Sequence, residues 1–271
     1  MIAIRQFRQL CLATLGAVAT SVAPAAAQSV PAPEPVCALS RTSLDKTLTR
    51  TREALLNGRA LTIVAIGSSS TSGAGASSAA ASYPSRLEAL LKERFAGIPI
   101  RVINRGVNGE EEADMLARFD RDVIAEKPDL VLWQVASNAI MRDRQLSTQE
   151  HLIREGIARI KQSGADVVLV DPQYTTAVLA HAVAMPMVDL IATEARRQQV
   201  ATFGRFALMQ GWHESQRIPF EAFSIADGLH MNDWGYDCFA RNLAAAIVRS
   251  AVPSAMASMS SADFSRGTAL H

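Results

Sequence analysis

Short apolar runs alternate with amphipathic stretches along most of this chain. Runs rich in β-branched and aliphatic residues predict strands at 61–67, 98–104, 130–135, 167–170 and, as a shorter candidate, 200–203. The first run is continuous and ends at a glycine, which is typical of a strand buried on both faces. A stretch rich in serine follows it directly.

Between these runs, leucine, isoleucine and phenylalanine recur at helical spacing. The spacing predicts helices over 43–57, 83–95, 113–126, 150–162, 187–199 and 233–250. Strand and helix alternate repeatedly, which favours βαβ units and a parallel sheet covered by helices on both faces. The sequence therefore predicts one α/β domain over residues 43–251.

The two ends of the chain differ from this domain. Two arginines precede an apolar stretch, and a run of alanines ending at Ala27 fits the small-residue rule for cleavage, so residues 1–27 are predicted to be a secretory signal peptide. An uncleaved membrane anchor is the alternative, but an apolar stretch of roughly 14 residues is short for a bilayer, which needs about 20. We therefore expect cleavage, and no stable membrane insertion after it. Residues 28–42 are interpreted as a proline-rich leader and residues 252–271 as a flexible tail. The expected location is the periplasm or the extracellular space.

Charge and cysteine content narrow the functional classes. With 27 basic and 26 acidic residues, the net charge is +1, which gives no electrostatic footprint for a nucleic-acid partner. Cys37 and Cys238 remain after signal cleavage, and in an oxidising compartment an even pair favours one disulfide over two buried free thiols. Phosphate-loop and dinucleotide motifs are absent, and no histidine pair has metal-ligand spacing, so we expect neither a cofactor nor a metal.

Residues that can support acyl transfer follow the first three predicted strands. Ser68, Ser69 and Ser70 come after the first strand, Gly109 after the second and Asn138 after the third. Because the carboxyl ends of parallel strands meet at one edge of a sheet, these residues are expected to converge there. A hydroxyl, a glycine backbone and a carboxamide provide a nucleophile and two oxyanion donors.

A base is expected near the end of the chain. His230 lies three residues after Asp227, and Gly228 allows a tight bend between them. The acid can then reach one imidazole nitrogen and leave the other free. A capped helix start with a surface histidine is the ordinary explanation of such a pair, and His213, beside Glu214, is the competing histidine.

Four stretches, in this order, resemble the sequence blocks of the SGNH hydrolases, also called the GDSL esterases and lipases: 67–73, Asn104 with Gly109, Asn138, and 227–230. The resemblance implies a flavodoxin-like three-layer sandwich. By position, it implies that Ser69 is the nucleophile, His230 the base and Asp227 the orienting carboxylate. The implied oxyanion hole consists of the backbone N–H groups of Ser69 and Gly109 and the side chain of Asn138.

The chain departs from the family pattern at two positions. Ser68 stands where the family usually has an aspartate before the nucleophile, and Ala139 replaces the aspartate of the Gly-x-Asn-Asp block. Both changes fall beside the proposed catalytic residues, so they bear on substrate preference more than on reaction type. Within the serine triplet, Ser68 and Ser70 are the alternative nucleophiles.

The sequence therefore predicts an exported serine hydrolase that cleaves carboxylic esters. Small residues at 74–82 favour a small, open acyl pocket. Together with export, this favours removal of acetyl groups from a saccharide or a small ester. An acyltransferase with the same Ser–His–Asp site and a non-catalytic envelope-binding module on this fold are the alternatives.

Overall fold

The computed structural model describes residues 35–39 and 44–252 of the chain. The signal peptide predicted at 1–27, most of the leader predicted at 28–42 and the tail predicted beyond residue 252 lie outside the described residues. Within the described part, no helix combines the length and the apolar character needed to span a membrane.

A parallel sheet of five strands lies at the centre, in the order β2-β1-β3-β4-β5. The strands are β1 (Leu61–Gly67), β2 (Ile100–Gly106), β3 (Leu130–Gln134), β4 (Asp166–Val170) and β5 (Ala201–Phe203). β1 and β3 are inner strands, and nearly all their residues are buried because helices cover both faces. The prediction of an α/β fold with a central parallel sheet of about five strands is confirmed.

Helices flank the sheet in two groups. They are α1 (Thr49–Leu56), α2 (Ser69–Ser72), α3 (Tyr83–Arg94), α4 (Glu112–Ala117), α5 (Phe119–Asp122), α6 (Ser137–Met141), α7 (Leu146–Gln162), α8 (Thr176–Leu179), α9 (Ala184–Gln198), α10 (Arg205–Gln210), α11 (Phe220–Phe223) and α12 (Asp233–Ala251), with 3₁₀ turns at Ala79–Ala81 and Ile124–Glu126 and a π-helical turn at Gly211–Ser215. α1, α3 and α12 pack together, and so do α4, α7 and α9. The chain adds strands on both sides of β1, and right-handed crossovers in these two directions place their helices on opposite faces of the sheet.

β2 lies on one side of β1, and β3, β4 and β5 lie on the other, so the order in which strands are added reverses between β1 and β3. In open parallel sheets, ligands bind outside the carboxyl ends of the strands at such a point. Ser69 and Asn138 lie just beyond the carboxyl ends of β1 and β3 respectively. The fold therefore places the two candidate residues at its expected binding edge.

The prediction of one helix over 113–126 is wrong. The segment divides into α4, α5 and a 3₁₀ turn, and the first break falls at Arg118. The buried guanidinium of Arg118 donates to the carboxylates of Glu110 and Asp122 and to the carbonyl oxygen of Arg105. Apolar periodicity does not register a charged side chain that turns inward, so it could not locate this break.

Distant residues also determine where helices begin. The first helix starts at Thr49 rather than at residue 43. The N–H and the hydroxyl of Thr51 both donate to the carboxylate of Asp166 at 2.8 Å, and an acceptor of this kind satisfies N–H groups at a helix start. The helix predicted at 150–162, by contrast, begins earlier than predicted, at Leu146.

The segment at 35–39 is attached to α12. Cys37 forms a disulfide with Cys238, which is fully buried in that helix. Trp234 also donates from Nε1 to the carbonyl oxygen of Pro35 at 2.7 Å. The disulfide joins positions 201 residues apart, so it ties the start of the domain to its last helix.

Candidate active site

The turn after β1 presents Ser69 at the first position of α2. Ser68 precedes the helix, and both its N–H and its hydroxyl donate to Oε1 of Gln134, at 2.7 and 2.9 Å. Close packing requires glycine at position 67, because a Cβ on Gly67 would lie 2.2 Å from Oγ1 of Thr71 and 2.7 Å from Oε1 of Gln134. A side chain at the end of β3 therefore holds the turn that carries Ser69.

Ser69, His230 and Asp227 form a continuous hydrogen-bonded relay. Nε2 of His230 is 2.8 Å from Oγ of Ser69, and Nδ1 is 2.6 Å from Oδ2 of Asp227. Oδ1 of Asp227 accepts the backbone N–H groups of Leu229 and His230, at 2.8 and 2.9 Å. Burial disfavours the charged form of Asp227, but these hydrogen bonds outweigh it and hold the pKa of the carboxyl below its usual value. With Nδ1 donating to the carboxylate, Nε2 is the acceptor for the Ser69 proton.

Two glycines shape the loop that carries His230. Gly228 has a φ of +67°, and its carbonyl oxygen accepts the N–H of Ala177 at 2.9 Å. Gly75, from the small-residue segment after α2, lies directly against the loop. A Cβ there would be 2.4 Å from the carbonyl oxygen of Met231 and 3.1 Å from Cβ of His230. Segments that follow β1 and β4 thus fix the position of the imidazole.

The alternative site residues lie elsewhere. Ser68 is bonded to β3 as described above, and Ser70 is buried and accepts a hydrogen bond from Nη1 of Arg205 at 2.8 Å. His213 lies in the π-helical turn, where its Nδ1 is 3.0 Å from the carbonyl oxygen of Ile218. Of the three consecutive serines, it is therefore the middle one that hydrogen-bonds to an imidazole.

The two candidate oxyanion donors are on adjacent segments. Asn138 is the second residue of α6, and its Nδ2 donates to the carbonyl oxygen of Glu110 at 2.8 Å. Gly109 has a φ of +80°, which glycine adopts without strain, and its carbonyl oxygen accepts from Nη2 of Arg142 at 3.1 Å. An amide nitrogen carries two N–H donors, so the side chain of Asn138 can hold Glu110 with one and bind a ligand with the other.

The loop that contains Gly109 also contacts α2. A Cβ on Gly106 would lie 2.1 Å from the backbone nitrogen of Ser72, so the end of β2 runs directly against the helix. The hydroxyl of Ser72 donates to Oδ1 of Asn108 at 2.8 Å. These contacts connect the Gly109 loop to the helix that begins at Ser69.

A chain of buried side chains behind the site was missed by the sequence reasoning. Nε2 of Gln134 donates to the hydroxyl of Ser137 at 3.1 Å, and that hydroxyl donates to Oε1 of Gln173 at 2.9 Å. Gln173 in turn donates to the carbonyl oxygen of Leu229 at 3.3 Å. The one sequence feature that could have pointed to the two glutamines is that each lies at or just after the end of an apolar strand. The chain links the turn at Ser68 to the loop of the base.

Glu112 is a second buried residue that the sequence did not reveal. One of its carboxyl oxygens accepts the N–H of Ala136, whose φ of +67° is unusual for a residue with a Cβ. Burial raises the pKa of Glu112, which favours the protonated form. The hydrogen bond stabilises the backbone turn that leads into Asn138.

The assembled groups have the chemistry of an activated nucleophile. A hydroxyl whose proton can pass to an imidazole, itself oriented by a carboxylate, is the arrangement used in covalent catalysis. In the part of the chain that the structure describes, no group of three or more His, Cys, Asp or Glu side chains could hold a metal ion. The relay of Ser69, His230 and Asp227 is therefore the feature that any functional account has to explain.

Comparison with known proteins identifies the family. The chain matches the model of the non-GDSL lipase-like family over residues 36–253. It is 36% identical to an acetylxylan esterase from Geobacillus stearothermophilus over 64 residues, which are 24% of this chain and only 29% of that protein.

Solved structures with the same fold include Axe2, an acetylxylan esterase from Geobacillus stearothermophilus, with a TM-score of 0.60 and 21% identity over 72% of this chain and 97% of that one. A two-domain esterase active on acetylated mannans gives a TM-score of 0.64 and 21% identity over 78% of this chain and 56% of that one. At these identities, the structural matches show the fold alone. The family match, by contrast, spans most of the sequence, and the chain belongs to the non-GDSL lipase-like family.

Proposed function

We propose that this protein is an exported serine hydrolase of the SGNH type that removes short acyl groups, principally acetyl, from a saccharide or a small ester. The observation that carries the proposal is the relay from Ser69 through His230 to Asp227, with hydrogen bonds of 2.8 and 2.6 Å. Solved catalytic mutants of Axe2 replace a serine, a histidine and an aspartate, and that aspartate lies three residues before the histidine, as it does here.

The relay suits an acyl-enzyme mechanism. His230 accepts the proton of Ser69 at Nε2 as Oγ attacks the ester carbonyl, and Asp227 stabilises the imidazolium that forms. The tetrahedral intermediate collapses when His230 returns the proton to the leaving alcohol. Water then attacks the acyl-serine with His230 again acting as base, which releases the acid and regenerates the hydroxyl.

Three N–H groups are proposed to stabilise the oxyanion. The N–H of Ser69 belongs to the first turn of α2, where N–H groups have no acceptor within the helix. The N–H of Gly109 and the second N–H of the Asn138 amide complete the set. Because Asn138 is held by the carbonyl oxygen of Glu110, its orientation does not depend on the aspartate that Ala139 replaces.

The surroundings of the relay support a small acyl group. Residues 73–82 consist only of glycine, alanine and serine, and this segment packs against the loop of His230. The fold relatives described above are esterases of acetylated xylan and acetylated mannan, which supports acetyl as the acyl group. The disulfide between Cys37 and Cys238 supports export, because such bonds persist in oxidising compartments.

The proposal is tested with a panel of esters of graded acyl length, with and without a saccharide acceptor. Wild type should hydrolyse acetyl esters fastest, and Ser69→Ala should abolish turnover. Asn138→Ala should retain activity reduced by about 10²- to 10³-fold, because one oxyanion donor is removed. Ser147→Ala is the matched control, since Ser147 is exposed on α7, away from the site, and should keep wild-type turnover.

Three other results would each contradict part of the proposal. Folded Ser69→Ala protein that keeps its esterase activity would refute the proposed nucleophile. Acyl transfer to the saccharide in preference to water would identify an acyltransferase instead. A wild-type protein that turns over no ester and is not labelled by a fluorophosphonate would indicate a binding module.

A further inference from the structure

Arg205 is a fully buried arginine at the start of α10, directly after β5. Its guanidinium donates from Nε to the carbonyl oxygen of Asp171 at 2.9 Å, from Nη1 to the hydroxyl of Ser70 at 2.8 Å, and from Nη2 to the hydroxyl of Ser137 at 3.3 Å. These acceptors follow β4, β1 and β3 respectively. One side chain therefore connects four loops at the carboxyl edge of the sheet, including its own.

Packing alone does not account for a charged residue at this position. Removing a guanidinium from water is unfavourable unless hydrogen bonds replace the lost hydration, and burial lowers the pKa of Arg205 accordingly. The hydrogen bonds of Arg205 go to two hydroxyls and a main-chain carbonyl rather than to a carboxylate. Apolar residues of similar volume often stabilise a core as well as a buried charge does. The arginine is better explained by what it connects.

The two hydroxyls that Arg205 binds are adjacent in sequence to the two groups whose relative position matters most. Ser70 follows Ser69 in α2, and Ser137 precedes Asn138 in α6. The rigid, planar guanidinium spans both turns, and its fixed fork of donors defines the separation between them.

We propose that Arg205 is a positioning residue for ester hydrolysis, which aligns the Asn138 amide with the Ser69 hydroxyl by binding the neighbour of each. The inference rests on the proposed function. Through Ser70 and Ser137, Arg205 positions the groups that are proposed to stabilise the oxyanion. The oxyanion forms only during the reaction and is absent from the bound substrate. Loss of the alignment should therefore lower kcat and leave KM nearly unchanged.

The test compares the steady-state kinetics of wild type and Arg205→Lys on a short acetyl ester. Lysine keeps the charge but cannot span the same acceptors with a planar fork. A displacement of about 1 Å in a catalytic group can cost on the order of 10²-fold, so we expect kcat to fall by about that factor while KM stays within about threefold. Arg205 lies over the ring of Phe239 as well as donating to a main-chain carbonyl. Arg159→Lys is the matched control, since Arg159 on α7 likewise lies over an aromatic ring and donates to a main-chain carbonyl. It should keep wild-type kcat.

A double-mutant cycle with Asn138→Ala separates positioning from a general structural role. If Arg205 acts by aligning Asn138, then Arg205→Lys should lower kcat far less once Asn138 is alanine, by less than about tenfold. A general loss of structure would lower kcat by the same factor in both backgrounds. Near-ultraviolet circular dichroism and thermal unfolding establish that each variant is folded at the assay temperature.

If Arg205→Lys does not fold, Ser70→Ala provides the same test, because it removes the bond of the guanidinium beside Ser69. It leaves the bonds of Arg205 to Ser137 and Asp171 in place, and also the chain of Gln134, Ser137 and Gln173. We expect this variant to lower kcat by about tenfold at unchanged KM. Wild-type kcat in a folded Arg205→Lys or Ser70→Ala protein would overturn the inference, as would equal losses in both backgrounds of the cycle. Failure of wild type to hydrolyse any ester would overturn the proposed function and this inference together. If ester hydrolysis requires Ser69 but Arg205→Lys keeps the kcat of wild type, this inference alone is overturned.

Discussion

Asp171 should make the stability of this protein fall as pH rises. The residue is only 5% exposed directly after β4, and its Oδ1 accepts the N–H of Phe206 at 2.9 Å. Burial raises the pKa of Asp171 from its ordinary value of 3.8 to about 7, against the opposing effects of that hydrogen bond and of the charge on Arg205. The folded protein therefore keeps a proton that the unfolded chain has already released.

The direction of the effect follows from proton binding. Below about pH 4, Asp171 is protonated in both states and its contribution is at its most favourable. As pH rises from about 4 to about 7, the unfolded chain ionises while the folded protein does not, so the free energy of unfolding falls by about 1.4 kcal/mol per pH unit. Over the interval between the two pKa values, this amounts to on the order of 4 kcal/mol.

The assay is urea unfolding of wild type and Asp171→Asn at intervals from about pH 4 to about pH 8, analysed by linear extrapolation. Asparagine cannot ionise and retains a carbonyl oxygen for the N–H of Phe206. The variant should match wild type at the acidic end and become more stable than wild type by a few kcal/mol at the basic end, on the order of the figure above. A difference in unfolding free energy that stays constant across this range would refute the reasoning.

Asp227→Asn provides a control of opposite sign. Hydrogen bonds hold the pKa of Asp227 below its usual value, so its contribution to stability is present above the pKa of the unfolded chain and is lost as pH falls through the lower folded value. The advantage of wild type over Asp227→Asn should therefore shrink at acidic pH. If the difference in unfolding free energy between wild type and variant changes with pH in the same direction for Asp171→Asn and Asp227→Asn, the pH dependence has a global cause and does not come from these two carboxyls.

Three further outcomes follow from the site and from the disulfide. Asp227→Asn should lower kcat by up to about 10⁴-fold in ester hydrolysis, because His230 loses the acceptor that fixes its tautomer. Gly75→Ala should lower kcat by about 10²-fold and also reduce the melting temperature, because the new Cβ would lie 2.4 Å from a backbone oxygen beside His230 and the φ of +89° suits glycine. Cys37→Ser should lower the free energy of unfolding by about 2 to 5 kcal/mol in urea titrations, and a reductant should then have no further effect on that variant, whereas it should destabilise wild type.

The strands and the residues at their ends could be predicted from the sequence because the information is local. The run of aliphatic residues from Leu61 to Gly67 coincides with β1, since a strand buried on both faces needs an unbroken apolar sequence. Asp227 and His230 are close in sequence, so one glycine turn is enough to bring carboxylate and imidazole into contact. Parallel topology then places Ser69 and Asn138 along one edge without any knowledge of side-chain packing. The turn at Asp227 and His230 follows a helix rather than a strand, so its contact with Ser69 is known only from the structure.

The residues that hold the site together could not be predicted in this way. Arg205 lies 135 residues from Ser70, and Gln134 lies 66 residues from Ser68, so each contact exists only after the sheet has formed. An arginine after a short apolar run has the pattern of a solvated helix start, yet Arg205 is fully buried. Single buried polar residues leave no periodic signal, because their role depends on partners from other strands.

The hydrogen-bond network around the site explains the two departures from the SGNH sequence pattern. Ser68 donates through both its N–H and its hydroxyl to the same oxygen of Gln134, and a carboxylate at this position would set acceptor against acceptor in a buried turn. Ala139 is fully buried in α6, so a charge there would also have to be removed from water. The turns that carry Ser69 and Asn138 are held instead by amides, hydroxyls and the guanidinium of Arg205. The chemistry proposed for this site therefore does not require the acids that the chain lacks.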